Sequence, residues 1–156
     1  MPTPTSPMDG LLLFAHGARD PLWARPFHEV AARISASRPD LPMRLAYLEF
    51  MSPTLEDAAH DLAAQGCTRV HIVPMFLGTG GHVRRDIPPL IERLQHHFGA
   101  QVEWLLHPSL GDQDRVLQAM TAASLDWLDS SAPPAPATPV ERQQDNLPRD
   151  PGEVST

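Results

Sequence analysis

The sequence predicts an α/β fold, a three-layer sandwich in which a four-stranded parallel sheet is flanked by helices. Four short apolar segments alternate with four segments of helical periodicity, a pattern typical of a parallel sheet with helices on both faces. The 156 residues, 42% of them hydrophobic, suffice for one domain with a core. Prolines concentrate at both ends of the chain. Because proline removes backbone donors, we expect disorder in residues 1–9 and 130–156, and a domain at 10–129.

The predicted elements form four strand-helix pairs. The strands are GLLLFAH, MRLAYLEF, TRVHIVPMFL and QVEWLLH, and the helices that follow them are PLWARPFHEVAARISASR, PTLEDAAHDLAAQ, VRRDIPPLIERLQHHF and DQDRVLQAMTAASLDWL. Residues 20–21 and 52–53 each combine a capping residue with proline, which predicts a helix start at each pair. Gly66 and Gly99 lie where helices are expected to end.

Charge and composition exclude several classes of function. A net charge of −7, with no basic block longer than Arg84-Arg85, argues against nucleic-acid binding. Cys67 is the only cysteine, which rules out an internal disulfide and suits a reducing cytoplasm. The N-terminal segment has no basic region and no long apolar run, so neither a secretion signal nor a membrane span is expected. The sequence contains no G-x-x-x-x-G-K-[ST] segment, so nothing in it predicts nucleotide hydrolysis.

Candidate site residues follow the predicted strands, where open parallel sheets place their ligand sites. Right-handed crossovers allow the strand order 2-1-3-4, a flavodoxin-like doubly wound sheet in which strands 1 and 3 are neighbours. His16 follows strand 1 and His82 follows strand 3, so the two imidazoles are expected to meet above one crevice. Glu49 approaches from the end of strand 2. Two imidazoles and a carboxylate are suitable ligands for a divalent transition metal.

Each of these residues also has a purely structural interpretation. His16 can donate to a backbone carbonyl at the strand end, and Glu49 can face solvent or cap the next helix. His82 is less ambiguous, because it follows a glycine run on a predicted surface loop. Arg84 and Arg85 belong to the first turn of a helix, where cations oppose the helix dipole, and this indicates an anionic partner.

Three segments together resemble a known family. LLLFAHGARDP, YLEFMSPTLEDA and VPMFLGTGGHVRRDIP are similar to the short form of the class II chelatases, which are sirohydrochlorin cobalt, iron or nickel chelatases. The resemblance covers roughly residues 10–120, and the pairing of H-G-x-R-D-P with G-x-H-V-x-x-D-I-P is more specific than either motif alone. It implies an ATP-independent enzyme that inserts Co²⁺, Fe²⁺ or Ni²⁺ into a carboxylate-rich tetrapyrrole.

The resemblance also implies roles for the candidate residues. One histidine from each motif acts in catalysis and metal binding, which transfers to His16 and His82. Neutral imidazole suits this role because it binds such metals without the tight grip of a thiolate and exchanges protons near neutral pH. Glu49 is expected to complete the metal coordination or accept a pyrrole proton. The residues expected to contact the tetrapyrrole are Arg19, Arg84 and Arg85, through its carboxylates, and Gly80 and Gly81, through close approach of the backbone.

Two alternative functions remain open, and assembly is a further expectation. A metal or tetrapyrrole carrier on the same scaffold would use the same binding residues. A histidine phosphatase is disfavoured, because Ala15 stands where the R-H-G motif of those enzymes has arginine. A tetrapyrrole is broad and flat, and one small sheet domain forms only one wall of a cleft. We therefore expect a two-fold homodimer with facing strand ends.

Overall fold

The computed structural model describes residues 6–130, apart from the side chain of His82. Its centre is a four-stranded sheet with strands β1 Asp9–Ala15, β2 Met43–Tyr47, β3 Arg69–Pro74 and β4 Glu103–Leu106. The strand order is β2-β1-β3-β4 and every pairing is parallel. Both the fold class and the strand order predicted from the sequence are confirmed.

Four helices surround the sheet: α1 Arg25–Ser37, α2 Leu55–Ala64, α3 Gly81–Phe98 and α4 Asp114–Asp129. Helices α2 and α3 cover one face and form the main core with the even-numbered residues of β1 and β3, namely Leu12, Phe14, Val70 and Ile72. This follows from the period of two along a strand, which directs alternate side chains to opposite faces. Helix α1 packs on the other face, mainly against β2.

The structure differs from the sequence-based prediction at both of the predicted helix starts. Asp20 accepts a hydrogen bond from Leu22 N at 2.9 Å, but the element it caps is a short 3-10 helix, Pro21–Ala24, that leads into α1. The predicted helix start at residues 52–53 is wrong. Helix α2 is capped instead by Thr54, which exchanges hydrogen bonds with Asp57 in a capping box. This arrangement satisfies two helix-terminal donors at once, which a serine followed by proline does not.

The start of the domain lies slightly before the predicted boundary at residue 10. Strand β1 begins at Asp9, and Met8 N donates to Thr68 Oγ1 at 3.0 Å. Residues 8 and 9 are therefore paired rather than disordered as the sequence predicts. Residues 1–5 and 131–156 lie outside the described residues, and with them nearly all of the predicted tail. No helix in the described part of the chain has the length and apolarity needed to cross a membrane.

An ion pair at the start of the sheet gives a prediction for stability against pH. Arg69 Nε donates to Asp9 Oδ1 at 2.6 Å, and this hydrogen bond holds the pKa of Asp9 below its usual 3.8. A lowered carboxyl pKa stabilises the fold above the unfolded-state value, and the stabilisation is lost as the pH falls through the folded-state value. We expect Asp9→Asn to lower the urea midpoint of unfolding at pH 7. The difference in urea midpoint between the variant and wild type should disappear below about pH 4, the reference range for aspartate. A difference in midpoint that stays constant from pH 7 to pH 3 would contradict this role of Asp9.

Candidate active site at the carboxyl edge of the sheet

The loops that follow β1 and β2 are joined by hydrogen bonds beyond the ends of the strands. Leu48 N donates to Ala15 O at 2.9 Å, and Glu49 N donates to His16 O at 3.0 Å. Backbone hydrogen bonds thus join the two segments beyond Ala15 and Tyr47, where the parallel ladder ends. Because the backbone of residue 49 is bonded directly to that of residue 16, their side chains leave the sheet at the same place.

His16 and Glu49 form a side-chain pair at this edge. His16 Nε2 lies 2.8 Å from Glu49 Oε1, within hydrogen-bonding distance. Their side chains are 37% and 43% exposed, so both are accessible to a ligand from solvent. Glu49 thus approaches His16 from the end of strand 2, while the role of the two side chains in a site stays a prediction. An imidazole backed by a carboxylate can accept a proton or contribute to a metal site.

Gly17 makes this close approach of the two loops possible. Its φ is +90°, and a Cβ atom at this position would overlap the carbonyl oxygen of Glu49. Phe50 on the facing loop has a φ of 64°, which is uncommon for a residue with a side chain. The two loops therefore adopt unusual backbone conformations on either side of the His16–Glu49 pair.

The loop after β3 supplies an aromatic side to the same site. Met75 N donates to Phe14 O at 2.8 Å, which continues the pairing of β1 with β3. The buried ring of Phe76 then lies edge-on to the His16 ring, with 6.3 Å between centroids. The Phe76 ring thus covers one side of the imidazole, and the Glu49 carboxylate contacts another side.

The second predicted histidine lies at the beginning of α3. Gly80 is the N-cap, Gly81 is the first helical residue, and His82 follows it. The side chain of His82 is outside the described part of the structure, so a meeting of its imidazole with His16 stays a prediction. Both glycines have open space where a Cβ would lie. The backbone at residues 80 and 81 is thus accessible at the end of β3, as the predicted substrate contact requires.

The predicted arginines are exposed, but their immediate surroundings differ. Arg19 places its guanidinium carbon 5.1 Å from the centroid of the Phe50 ring, a cation–π contact. Arg85 Nε donates to Gly81 O at 3.2 Å, and Arg84 is exposed in the first turn of α3. The structure thus keeps all three cations on loops or helix starts that follow β1 and β3.

Sequence reasoning missed an apolar rim at this edge. Leu22, Phe50 and Leu77 follow β1, β2 and β3 in turn, and their exposed fractions are 75%, 59% and 63%. Their positions after the strands were visible in the sequence, but their exposure was not, because apolar residues next to a strand end are more often buried. We define these three residues as the apolar rim.

Other possible sites lie elsewhere on the molecule. One concavity lies between α2 and the C-terminal half of α3, where His60 and His97 contact each other, and it contains neither His16 nor Glu49. His71 and His107 form a pair, with 2.8 Å between Nδ1 and Nε2, on the sheet itself. Within residues 6–130, leaving aside the His82 side chain, no three His, Cys, Asp or Glu side chains converge on one point. Because His16, Glu49 and the apolar rim are all accessible to solvent, the described part of the carboxyl edge is an open surface.

Comparison with known proteins decides the family. The CbiX family model matches residues 10–126, which include both histidine motifs and most of α4. The chain belongs to the CbiX family. This confirms the resemblance to the short chelatases that the two motifs indicate.

Relatives of this CbiX chain extend the comparison. A sirohydrochlorin cobaltochelatase of Saccharolobus islandicus is 32% identical over 114 residues, which is 70% of this chain and 88% of the relative. The crystal structure of a CbiX protein from Marinobacter aquaeolei matches with a TM-score of 0.69 at 29% identity, over 78% of this chain and 98% of that one. SirB from Bacillus subtilis with Fe³⁺ has the same fold, with a TM-score of 0.67 at 23% identity, over 80% of this chain and 48% of SirB.

Proposed function

We propose that this chain inserts a divalent metal, with Co²⁺ as the principal substrate, into sirohydrochlorin without ATP. The observation that carries the proposal is the His16–Glu49 pair, with 2.8 Å between Nε2 and Oε1, at the exposed carboxyl edge of a CbiX domain. Membership of the family and the cobaltochelatase relative support the reaction class. The relative's name is also the reason for preferring cobalt to iron or nickel.

Metal insertion needs a proton acceptor and a weak metal ligand, and the His16–Glu49 pair can provide both. Two pyrrole N–H protons leave the tetrapyrrole as the metal ion binds its four nitrogens. When His16 Nε2 donates its hydrogen to Glu49, the Nδ1 lone pair of His16 accepts one of the two protons, and the Glu49 carboxylate stabilises the imidazolium that forms. We propose that the His82 imidazole accepts the second proton. Before these steps, the imidazole lone pairs and a Glu49 oxygen would hold the incoming metal ion weakly enough to release it.

The surroundings of the pair suit a flat ring with an acidic periphery. The apolar rim offers contact area to the faces of the macrocycle. We propose that Arg19, Arg84 and Arg85 pair with peripheral carboxylates, because such pairs are stronger than neutral hydrogen bonds. Gly80 and Gly81 leave room for the ring to approach the start of α3.

The open form of the site is the reason to propose a homodimer. Ligand sites normally bury most of the ligand, and the carboxyl edge of one chain presents only one wall. Two chains related by a two-fold axis, with facing carboxyl edges, would enclose the tetrapyrrole between them. We further propose that the enzyme works in the cytoplasm and requires no nucleotide.

The direct test follows the visible spectrum of sirohydrochlorin on addition of Co²⁺. We expect insertion by the wild type and a rate on the order of 10- to 100-fold lower for Glu49→Gln, the usual cost of removing the carboxylate partner of a functional histidine. Glu29→Gln is the matched control, because Glu29 pairs with Arg33 on α1, away from the site. Metal or tetrapyrrole binding without insertion would favour the carrier function instead. Equal rates for Glu49→Gln and wild type would contradict the role of the pair.

A further inference from the structure

Two exposed histidines lie side by side between α2 and α3, away from the candidate active site. His60 on α2 and His97 on α3 have ring centroids 4.8 Å apart, with 73° between the ring planes. Within residues 6–130, leaving aside the His82 side chain, neither imidazole takes part in a hydrogen bond or an ion pair. A neutral imidazole carries one nitrogen lone pair. Both rings therefore have an acceptor nitrogen that is available to a ligand.

The packing of α2 beside α3 sets this contact. Arg93 Nε donates to Glu56 Oε1 at 2.9 Å, and these two residues lie four positions before His97 and His60 in their helices. Residues four apart lie on the same side of a helix, so the ion pair and the histidine pair are successive contacts between the two helices. The fold therefore places the two histidines opposite each other.

The histidine pair borders a cavity of about 560 Å³. The buried ring of Phe98 contacts both imidazoles, with centroid distances of 4.9 Å to His60 and 4.8 Å to His97. Glu92 also lines the cavity, and its carboxylate has no hydrogen bond or ion pair within the described residues. Since Arg93 offsets Glu56, neutral histidines leave the lining with an excess of negative charge from Glu92. Such a lining attracts a cation.

The spacing of the two rings suits a shared metal ion. Since an imidazole nitrogen lies about 2.0–2.1 Å from a bound Zn²⁺ ion, two imidazoles that share one ion have ring centres roughly 5 Å apart. The observed distance of 4.8 Å agrees with this value. Because both side chains are exposed, rotation about their side-chain bonds can direct one nitrogen of each ring to the ion. Imidazole ligands favour divalent transition metals over Mg²⁺ and Ca²⁺, which prefer oxygen ligands.

We propose that His60 and His97 form a second metal site, which binds one divalent transition-metal ion across α2 and α3, with water in the remaining coordination positions. The site needs only two protein ligands, in keeping with the absence of a three-residue cluster within the described part of the chain. Glu92 contributes its charge from the wall of the cavity. The site goes beyond the proposed function and rests on it only for the identification of the bound ion as the metal that the enzyme inserts.

The first experiment locates bound Co²⁺ by its paramagnetism. During addition of Co²⁺ without tetrapyrrole, amide NMR signals around residues 60 and 97 of the wild type should broaden selectively. In His60→Gln/His97→Gln this broadening should be lost, because glutamine fills similar space but has no imidazole lone pair. His96→Gln is the matched control, because His96 is exposed, lines the same cavity and precedes His97 directly. Sharp signals around residues 60 and 97 in the wild type, or persistent broadening in the double variant, would overturn the site.

The second experiment measures how Co²⁺ changes the stability of the fold. An ion held by two helices binds the folded chain more tightly than the unfolded one, so Co²⁺ should raise the urea midpoint. The background is His16→Ala, which weakens metal binding at the proposed insertion site. Adding His60→Gln and His97→Gln should reduce the shift that Co²⁺ causes, and the metal-free midpoint checks that this variant folds. An equal shift with and without the two glutamines would contradict the site.

The insertion assay on the same preparations separates this inference from the proposed function. Co²⁺ binding at His60 and His97 in a protein that does not insert metal into sirohydrochlorin would contradict the chelatase function and leave the second site intact. Insertion by a wild type whose signals around residues 60 and 97 stay sharp would leave the chelatase function intact and contradict the second site.

Discussion

Replacement of His16 by alanine is expected to reduce the rate of metal insertion by at least ~100-fold, the lower range for loss of a catalytic acid or base. The imidazole is the group that accepts a ring proton and contacts the metal in the proposed mechanism, and alanine offers neither function. The side chain is 37% exposed and its hydrogen bond is to Glu49, so the fold should survive. Urea unfolding should therefore give a midpoint near that of wild type.

The control for this prediction is His96→Ala, which removes an exposed imidazole near the end of α3 and should leave insertion unchanged. His82→Ala tests the second proposed imidazole and should lose activity as His16→Ala does. If His16→Ala retained a rate within a few-fold of wild type, the catalytic role of the strand-1 motif would have to be abandoned. Loss of activity in His16→Ala with a normal rate in His82→Ala would restrict the chemistry to the His16–Glu49 pair.

Gly17→Ala is expected to impair both stability and insertion. The φ of +90° is unfavourable for alanine, and its Cβ would overlap the Glu49 carbonyl oxygen. Forcing a residue into such a backbone conformation costs about 1–3 kcal/mol, which should appear as a lower urea midpoint. Relief of the overlap requires the two loops to separate, so the His16–Glu49 pair should open and the insertion rate should fall.

Gly78→Ala is the matched control for stability, because Gly78 has a negative or extended φ and open space around its Cβ position. We expect its free energy of unfolding, from urea titration, to lie within about 0.5 kcal/mol of that of wild type, the usual range for surface substitutions. A Gly17→Ala variant as stable and active as wild type would mean that the two loops are not held in the close contact described.

Much of the architecture follows from local pattern alone. Alternating apolar segments and helical periods predict the four strands, the four helices and the parallel sheet, because an apolar period of 2 or 3.6 residues reflects one buried face of each element. The right-handed crossover rule then leads to the strand order β2-β1-β3-β4. The approach of Glu49 toward His16 from the end of strand 2 was predicted for the same reason, since parallel neighbours end at one edge.

The features that sequence patterns did not predict depend on contacts between distant segments. Thr54, not Ser52, caps α2, because the choice between adjacent capping residues depends on which backbone donors are unpaired in the folded chain. The exposure of Phe50 and Leu77 depends on how loops from different strands pack, as does the positive φ of Phe50.

Helix α4 shows most clearly which features follow from sequence periodicity and which depend on tertiary contacts. The sequence by itself predicted a helix over residues 112–128, since periodicity is a local property, and the structure has this helix at Asp114–Asp129. Only the tertiary structure decided that this helix leaves its own sheet uncovered, because the turn before it is bound to the β3–α3 loop through Gly111. Apolar periodicity indicates that one side of a helix packs on an apolar surface, but the path of the folded chain decides where that surface lies.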